Sequence, residues 1–252
     1  MRIPSQWASI ITDVHVGTEG MSAAEVVKCR AGTESLFIKS IDSKYANTTY
    51  SVKREQEVTR WLKAKLNVPR ILDFGEERGR EFMVMSEIRG THIDAFKDSP
   101  DIYIAHLANC IKLVQSVNIS DCAFDSTLNV RLAELKRLID NNLASLDNWE
   151  DTTTFTNPRE LYQWLCDNKP DEDLVFSHGD ITANFFVKND TDYFFYDMGR
   201  AGIADRWLDI AFCVRNIREF GHKKYEDRFF KLLNIKPDYE KIEYFILLDE
   251  MF

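Results

Sequence analysis

Asp180, Asn184 and Asp197 are the residues whose types and spacing most directly suggest chemistry. The first two lie in SHGDITAN, which starts at Ser177, and the third opens DMGRAG. An asparagine oxygen and a carboxylate are hard ligands suited to Mg²⁺, which keeps several waters and takes further ligands from substrate phosphates. A second carboxylate beside them can accept the proton of an attacking hydroxyl. Either Asp180 or Asn184 alone would read as turn chemistry. The apolar runs around them argue for more. LVFSH reads as a strand delivering His178, Gly179 and Asp180 at its end. NFFV and YFFYD read as a hairpin across KNDTD, delivering Asp197 at its far end. The three side chains are then expected to converge at one mouth.

The elements upstream supply partners. The first 85 or so residues read as mostly β. AEVVKCRA and SLFIKS are two strands separated by AGTE, a turn containing Gly32. In TTYSVKREQEVTRWLKAKL, Val52, Val58, Trp61, Leu62 and Leu66 recur at helical spacing, and the helix ends before Pro69. RILDFGEERGREFMVMSEI reads as a hairpin with EERGRE as its turn. From about residue 98 the pattern is helical, with the first helix over DIYIAHLANCIKLVQSV carrying Ile102, Leu107, Ile111, Leu113 and Val114. LNVRLAELKRLIDNNLASL and PRELYQWLCDN follow, and after the β interlude helices resume at ADRWLDIAFCVRNIREF. The order His-x-Asp, Asn, Asp-x-Gly is that of protein-kinase-like phosphotransferases. That pattern requires a lysine on a strand and a glutamate on the next helix. Lys39 in LFIKS and Glu55 in KREQEV answer the requirement. A lysine inside an apolar strand is costly to leave unpaired.

Composition narrows the classes. The chain has 252 residues, 44% of them hydrophobic, enough for one large domain or two lobes with a real core. Its formal net charge is −9, which argues against a nucleic-acid partner and suits cationic small molecules. Five cysteines without a CxxC pair suggest neither a disulfide framework nor a zinc site. The N-terminus lacks a charged-then-apolar leader and no apolar run approaches a membrane span. The expectation is a cytoplasmic protein with no membrane and no evident obligate protein partner.

The chain resembles the aminoglycoside phosphotransferases, above all the 3′-type (kanamycin kinase) enzymes of Gram-positive bacteria. The resemblance rests on TEGMSAAEV, DSKYANTTYSVKRE, WLKAKLNVP, VNISDC, RLAEL, NPRELY, EDLVFSHGD, ADRWLDIAFCVRNIRE and ILLDEMF, and so runs over nearly the whole chain. It implies an α+β, bilobal protein-kinase-like fold, with a small β-rich lobe over residues 1–88, a larger mainly helical lobe over 89–252, and a central cleft. It implies transfer of the γ-phosphate of ATP, with Mg²⁺, to an aminoglycoside hydroxyl. Carried over residue by residue, Asp180 is the base, Asn184 and Asp197 hold the metal, and Lys39 with Glu55 grips the phosphates. Ser22 lies in the loop over the phosphates, Phe37 stacks on adenine, and Met85, Ser86 and Ile88 form the hinge. Asp147, Glu150, Glu219, Glu250, Arg200 and the Phe252 carboxylate are the aminoglycoside positions. His178 and Asp209 brace the catalytic loop. The chain departs from the pattern in having four steps from Asp180 to Asn184 instead of five, and Phe220 where an acid is expected after Glu219. Two other readings stay open on the residues alone: a kinase for another small hydroxylated or cationic substrate, and a nucleotide-binding relative with little catalysis.

Overall fold

The computed structural model describes residues 3–16, 23–46, 48–144, 149 and 153–252. In chain order its strands and helices are β1 (Ile11–Val16), β2 (Glu25–Ala31), β3 (Glu34–Asp42), α1 (Val52–Leu62), β4 (Ile71–Glu77), β5 (Arg80–Ser86) and β6 (Thr91–His92). Then come α2 (Pro100–Gln115), α3 (Leu128–Asp140), α4 (Pro158–Asp167), β7 (Leu174–Ser177), β8 (Phe185–Lys188), β9 (Asp192–Phe195) and β10 (Gly202–Asp205). Helices α5 (Trp207–Arg218), α6 (Lys223–Leu233) and α7 (Tyr239–Asp249) finish the chain. They fall into two compact units. One is Met1–His92 with Asn184–Arg200; the other is Ile93–Ala183 with Ala201–Phe252.

The first unit is built on a five-stranded sheet in the order β1-β2-β3-β5-β4, with antiparallel neighbours throughout. Alternation along β3 sorts its side chains. Leu36 and Ile38 join Val27, Cys29, Phe82 and Val84 in a core on one face. Ile41 packs with Met83 and with Val52 of α1 on the other. The β3–β5 register pairs Phe37 with Met85, Lys39 with Met83 and Ile41 with Glu81, so this second face carries Phe37, Lys39, Glu81 and Met85 toward α1. In α1, Val52, Glu55, Thr59 and Leu62 share the buried side at helical spacing. A second sheet in this unit has the order β6-β8-β9, and it delivers Asn184 and Asp197.

In the second unit β7 pairs with β10, and the helices enclose a core that includes Tyr103, Leu107, Leu135, Leu161, Phe212 and Phe245. No helix among the described residues is long and apolar enough to cross a membrane. Cys29, Cys110 and Cys213 are buried, Cys122 is half-buried and Cys166 exposed, all as free thiols.

Three local expectations change. The β4–β5 turn is only Arg78-Gly79, both at positive φ (54° and 76°), and Glu81 is a strand residue rather than part of the turn. Two positive-φ residues in a tight connection match the right-handed strand twist. Ile102 is 50% exposed; Tyr103 and Ile104 take the inward positions of α2 instead. The stretch GIAD forms β10 ahead of α5, so that helix starts at Trp207.

Candidate active site

In the first unit, β3 and α1 bring Lys39 and Glu55 together on the inner face of the sheet. Lys39 is 7% exposed and Glu55 3%. The Lys39 Nζ lies 2.7 Å from Glu55 Oε2 and donates to Asp197 Oδ1 at 2.5 Å. Burial opposes the ammonium charge, but Asp197 and Glu55 outweigh it and hold Lys39 well above its ordinary value. Glu55 is pushed up to about 7, first by burial, with Asp197 adding to the rise and Lys39 opposing it. Two carboxyl groups thus face one ammonium.

Asp197 is presented by backbone strain and close packing. Its φ is 58°, in the left-handed region that aspartate tolerates better than most residues. Two residues on, a Cβ at Gly199 would sit 2.8 Å from the Thr49 carbonyl oxygen. The absence of a side chain there lets the segment lie against α1, where Arg54 Nε donates to the Gly199 carbonyl at 2.9 Å. Asn184 enters from the same end of the hairpin. The β8–β9 register pairs Phe185 with Phe195, and the Tyr196 N–H donates to the Asn184 carbonyl at 3.1 Å. Asn184 and Asp197 thus flank one open hairpin end. Among the described residues no three His, Cys, Asp or Glu side chains gather as a metal cage. Two hard-oxygen side chains at one edge suit a cation that takes its remaining ligands from phosphate and water.

Phe37 and Met85 are cross-strand partners on the Lys39 face, both half-buried. Ser86 is fastened to Arg70: its N–H donates to the Arg70 carbonyl and its Oγ accepts from the Arg70 N–H, each at 3.0 Å. Ile88 follows, half-buried. Arg200 donates to the Tyr50 hydroxyl at 3.0 Å and stacks over that ring at 5.3 Å. Ser22, Asp147 and Glu150 lie outside the described residues.

In the second unit, Asp180 is half-buried on a loop whose approach is rigidly held. The fully buried Asp209, in the first turn of α5, accepts from Ser177 Oγ (2.8 Å), His178 N–H (2.7 Å) and Gly179 N–H (2.9 Å). Gly179 has φ 80°, a conformation that favours glycine, immediately before Asp180. His178 is itself fully buried. Glu219 is exposed just past α5, and its neighbour Arg218 meets Glu243 at 2.7 Å. Glu250 is buried and accepts from the Thr153 hydroxyl, while its neighbour Asp249 meets Arg215 at 2.9 Å. Phe252 is half-buried and its N–H donates to the Asp249 carbonyl. Thr153 was invisible to motif reading, since a threonine in a run of threonines carries no chemical signal of its own.

The whole chain is similar to solved phosphotransferases. A crystal structure of a type VIII aminoglycoside-3′-phosphotransferase superposes with TM-score 0.82 at 24% identity, covering 95% of this chain and 93% of that one. An aminoglycoside phosphotransferase from Streptomyces rimosus, solved with ADP and streptomycin, superposes with TM-score 0.76 at 19% identity, covering 94% and 92%. These likenesses show the fold: α+β and protein-kinase-like. Sequence relatives carry the matter further. Proteins named aminoglycoside 3′-phosphotransferase from Campylobacter jejuni and Enterococcus faecalis are 53% and 50% identical, each over 93% of this chain and 95% and 92% of their own. With the model of the phosphotransferase enzyme family matching residues 19–245, the chain belongs to that family.

Proposed function

We propose that the protein is an ATP-dependent aminoglycoside 3′-phosphotransferase that inactivates its substrate by phosphorylating a hydroxyl. The observation that carries this reading is the buried Lys39, held between Glu55 and Asp197 on one face of the sheet. A buried ammonium with two carboxylates is expensive as mere structure. It is economical as a preformed grip for the α- and β-phosphates. Asn184 and Asp197 would hold Mg²⁺, which supplies neutralisation of the charge that develops on the transferring phosphoryl group. Phe37, Met85, Ser86 and Ile88 frame the adenine.

Asp180 orients the acceptor hydroxyl and takes its proton. The hydroxyl oxygen bonds to the γ-phosphorus as the bond to the bridging oxygen breaks, and ADP leaves with that electron pair. Gly179 and Asp209 keep the approach to Asp180 fixed, so little reorganisation is needed at the moment of transfer. The acceptor is a polycation. Asp147, Glu150, Glu219, Glu250 and the Phe252 carboxylate recognise its ammonium groups by charge-assisted hydrogen bonds, and Arg200 is a further substrate-binding residue. The relatives' shared name and the acidic balance of −9 support this substrate class. A cytoplasmic location fits the use of ATP.

Substitution separates the roles. Asp180→Ala is expected to lower kcat by about 10²–10⁴-fold with nucleotide affinity nearly unchanged. Lys39→Ala is expected to act mainly on productive ATP binding. Mass spectrometry of kanamycin after incubation reads the added phosphoryl group directly. Near-normal turnover by Asp180→Ala would remove Asp180 from its role.

A further inference from the structure

We propose that Glu81 is a positioning residue for the Lys39–Glu55 pair: it ties the first turn of α1 to the sheet and thereby sets Glu55 against Lys39. The proposal rests on the reading of that pair as the phosphate grip. Glu81 is 2% exposed in the middle of the unit, on β5 opposite Ile41 of β3. A carboxylate there is costly unless its oxygens are satisfied. One oxygen, Oε2, accepts from Ser51 Oγ at 2.9 Å and from the Lys53 N–H at 3.1 Å.

Ser51 is the N-cap of α1. Its Oγ also accepts from the Arg54 N–H at 3.3 Å, and its carbonyl accepts from the Glu55 N–H at 3.1 Å. Glu81 therefore holds the cap, and the cap holds the backbone of Glu55. A negative charge at this end also complements the helix dipole. Lys39 sits on β3 opposite Met83, two residues from Glu81 along β5, and all three face α1. Both partners of the ion pair are thus referenced to the same two strands: Lys39 by covalent connection, Glu55 through Glu81. Hydrogen bonds of this length tolerate little drift, and displacement of a gripping group by about 1 Å can cost on the order of 10²-fold in rate.

The test uses the full chain as wild type, Glu81→Ala, Glu81→Gln, Glu55→Gln and the Glu81→Ala/Glu55→Gln double variant. The first readout needs no ligand: the rate at which an amine-selective acylating reagent modifies Lys39, followed by peptide mass spectrometry. Glu81→Ala should raise that rate roughly tenfold, as should Glu55→Gln, because residues of one network couple at this scale. Glu81→Gln should stay within about threefold of wild type, since the carboxamide oxygen still accepts from Ser51 and Lys53.

The second readout is kinetic. Glu81→Ala should lower kcat/KM for ATP by about 10–100-fold and leave KM for kanamycin unchanged. In the Glu55→Gln background the same substitution should cost less than about threefold. Unchanged Lys39 labelling in Glu81→Ala, or equal kinetic costs in both backgrounds, would overturn the proposal. If Glu81→Ala does not fold, Ser51→Ala removes the bridging hydroxyl and should raise Lys39 labelling in the same direction; no change there also overturns it. A wild-type protein that releases no ADP with ATP and kanamycin would sink the functional reading, and the labelling arm would still decide the role of Glu81.

Discussion

The Lys39–Glu55 ion pair was legible from order and type, because the motif pattern calls for a lysine on a strand and a glutamate on the next helix, and LFIKS and KREQEV supply them. Glu81 was not, because a glutamate next to RGR reads as turn chemistry until the register places it on β5. The network has a pH signature. The folded-state value of Glu55, about 7, lies above its ordinary 4.5, so between these limits the folded protein binds the proton more tightly than the unfolded chain. That contribution to stability is fully present below pH 4.5 and is lost as pH rises through 7. The raised Lys39 works in the alkaline range, its contribution intact below 10.5 and lost only above that. Urea midpoints of the wild type should therefore fall relative to those of Glu55→Gln as pH rises from 5 to 7.5; parallel profiles would contradict the assignment. Gly199→Ala meets the Thr49 carbonyl oxygen at 2.8 Å, a backbone atom that cannot swing away. It should destabilise by about 1–3 kcal/mol, read by chemical unfolding, and weaken nucleotide binding by moving Asp197.

At the scale of elements, strongly periodic segments were readable and weakly anchored ones were not. α1 announced itself through Val52, Val58 and Leu62, all fully buried. β1 is an edge strand with most of its residues exposed, so it lacks a clear buried alternation. β10 has four residues, and only its pairing with β7 in the register Gly202 to Ser177 makes it a strand. The brace formed by Asp209 shows how an element can order a loop at one remove. α5 brings Asp209 under the end of β7, where it satisfies two N–H groups and one hydroxyl. Asp209→Ala strands those buried donors and should cost about 3 kcal/mol or more in urea unfolding. Turnover should fall with it, through the loss of order in the approach to Asp180. A loss under about 0.5 kcal/mol would mean that water or another group replaces the carboxylate without strain.

At the scale of the molecule, contacts return Asn184–Arg200 to the unit formed by the first 92 residues, although the sequence reading drew one boundary after residue 88. The physical reasons are hydrogen bonds between this segment and the first unit, Phe195 N–H to the Asn67 carbonyl and Arg54 Nε to the Gly199 carbonyl, each at 2.9 Å, and no local pattern encodes partners so distant along the chain. The net charge of −9 belongs to this scale too. If carboxylates recognise a polycation, KM for kanamycin should rise several-fold as salt goes from about 0.05 to 0.5 M, where the Debye length contracts. A flat response would argue against ionic recognition. The most direct test of the whole account is a coupled ADP-release assay with ATP, Mg²⁺ and kanamycin, run beside an aminoglycoside that lacks the 3′-hydroxyl. The account predicts release that depends on kanamycin and falls away with the 3′-deoxy compound. No release with either, from protein that binds ATP, would contradict it and place the fault in the four-step loop from Asp180 to Asn184.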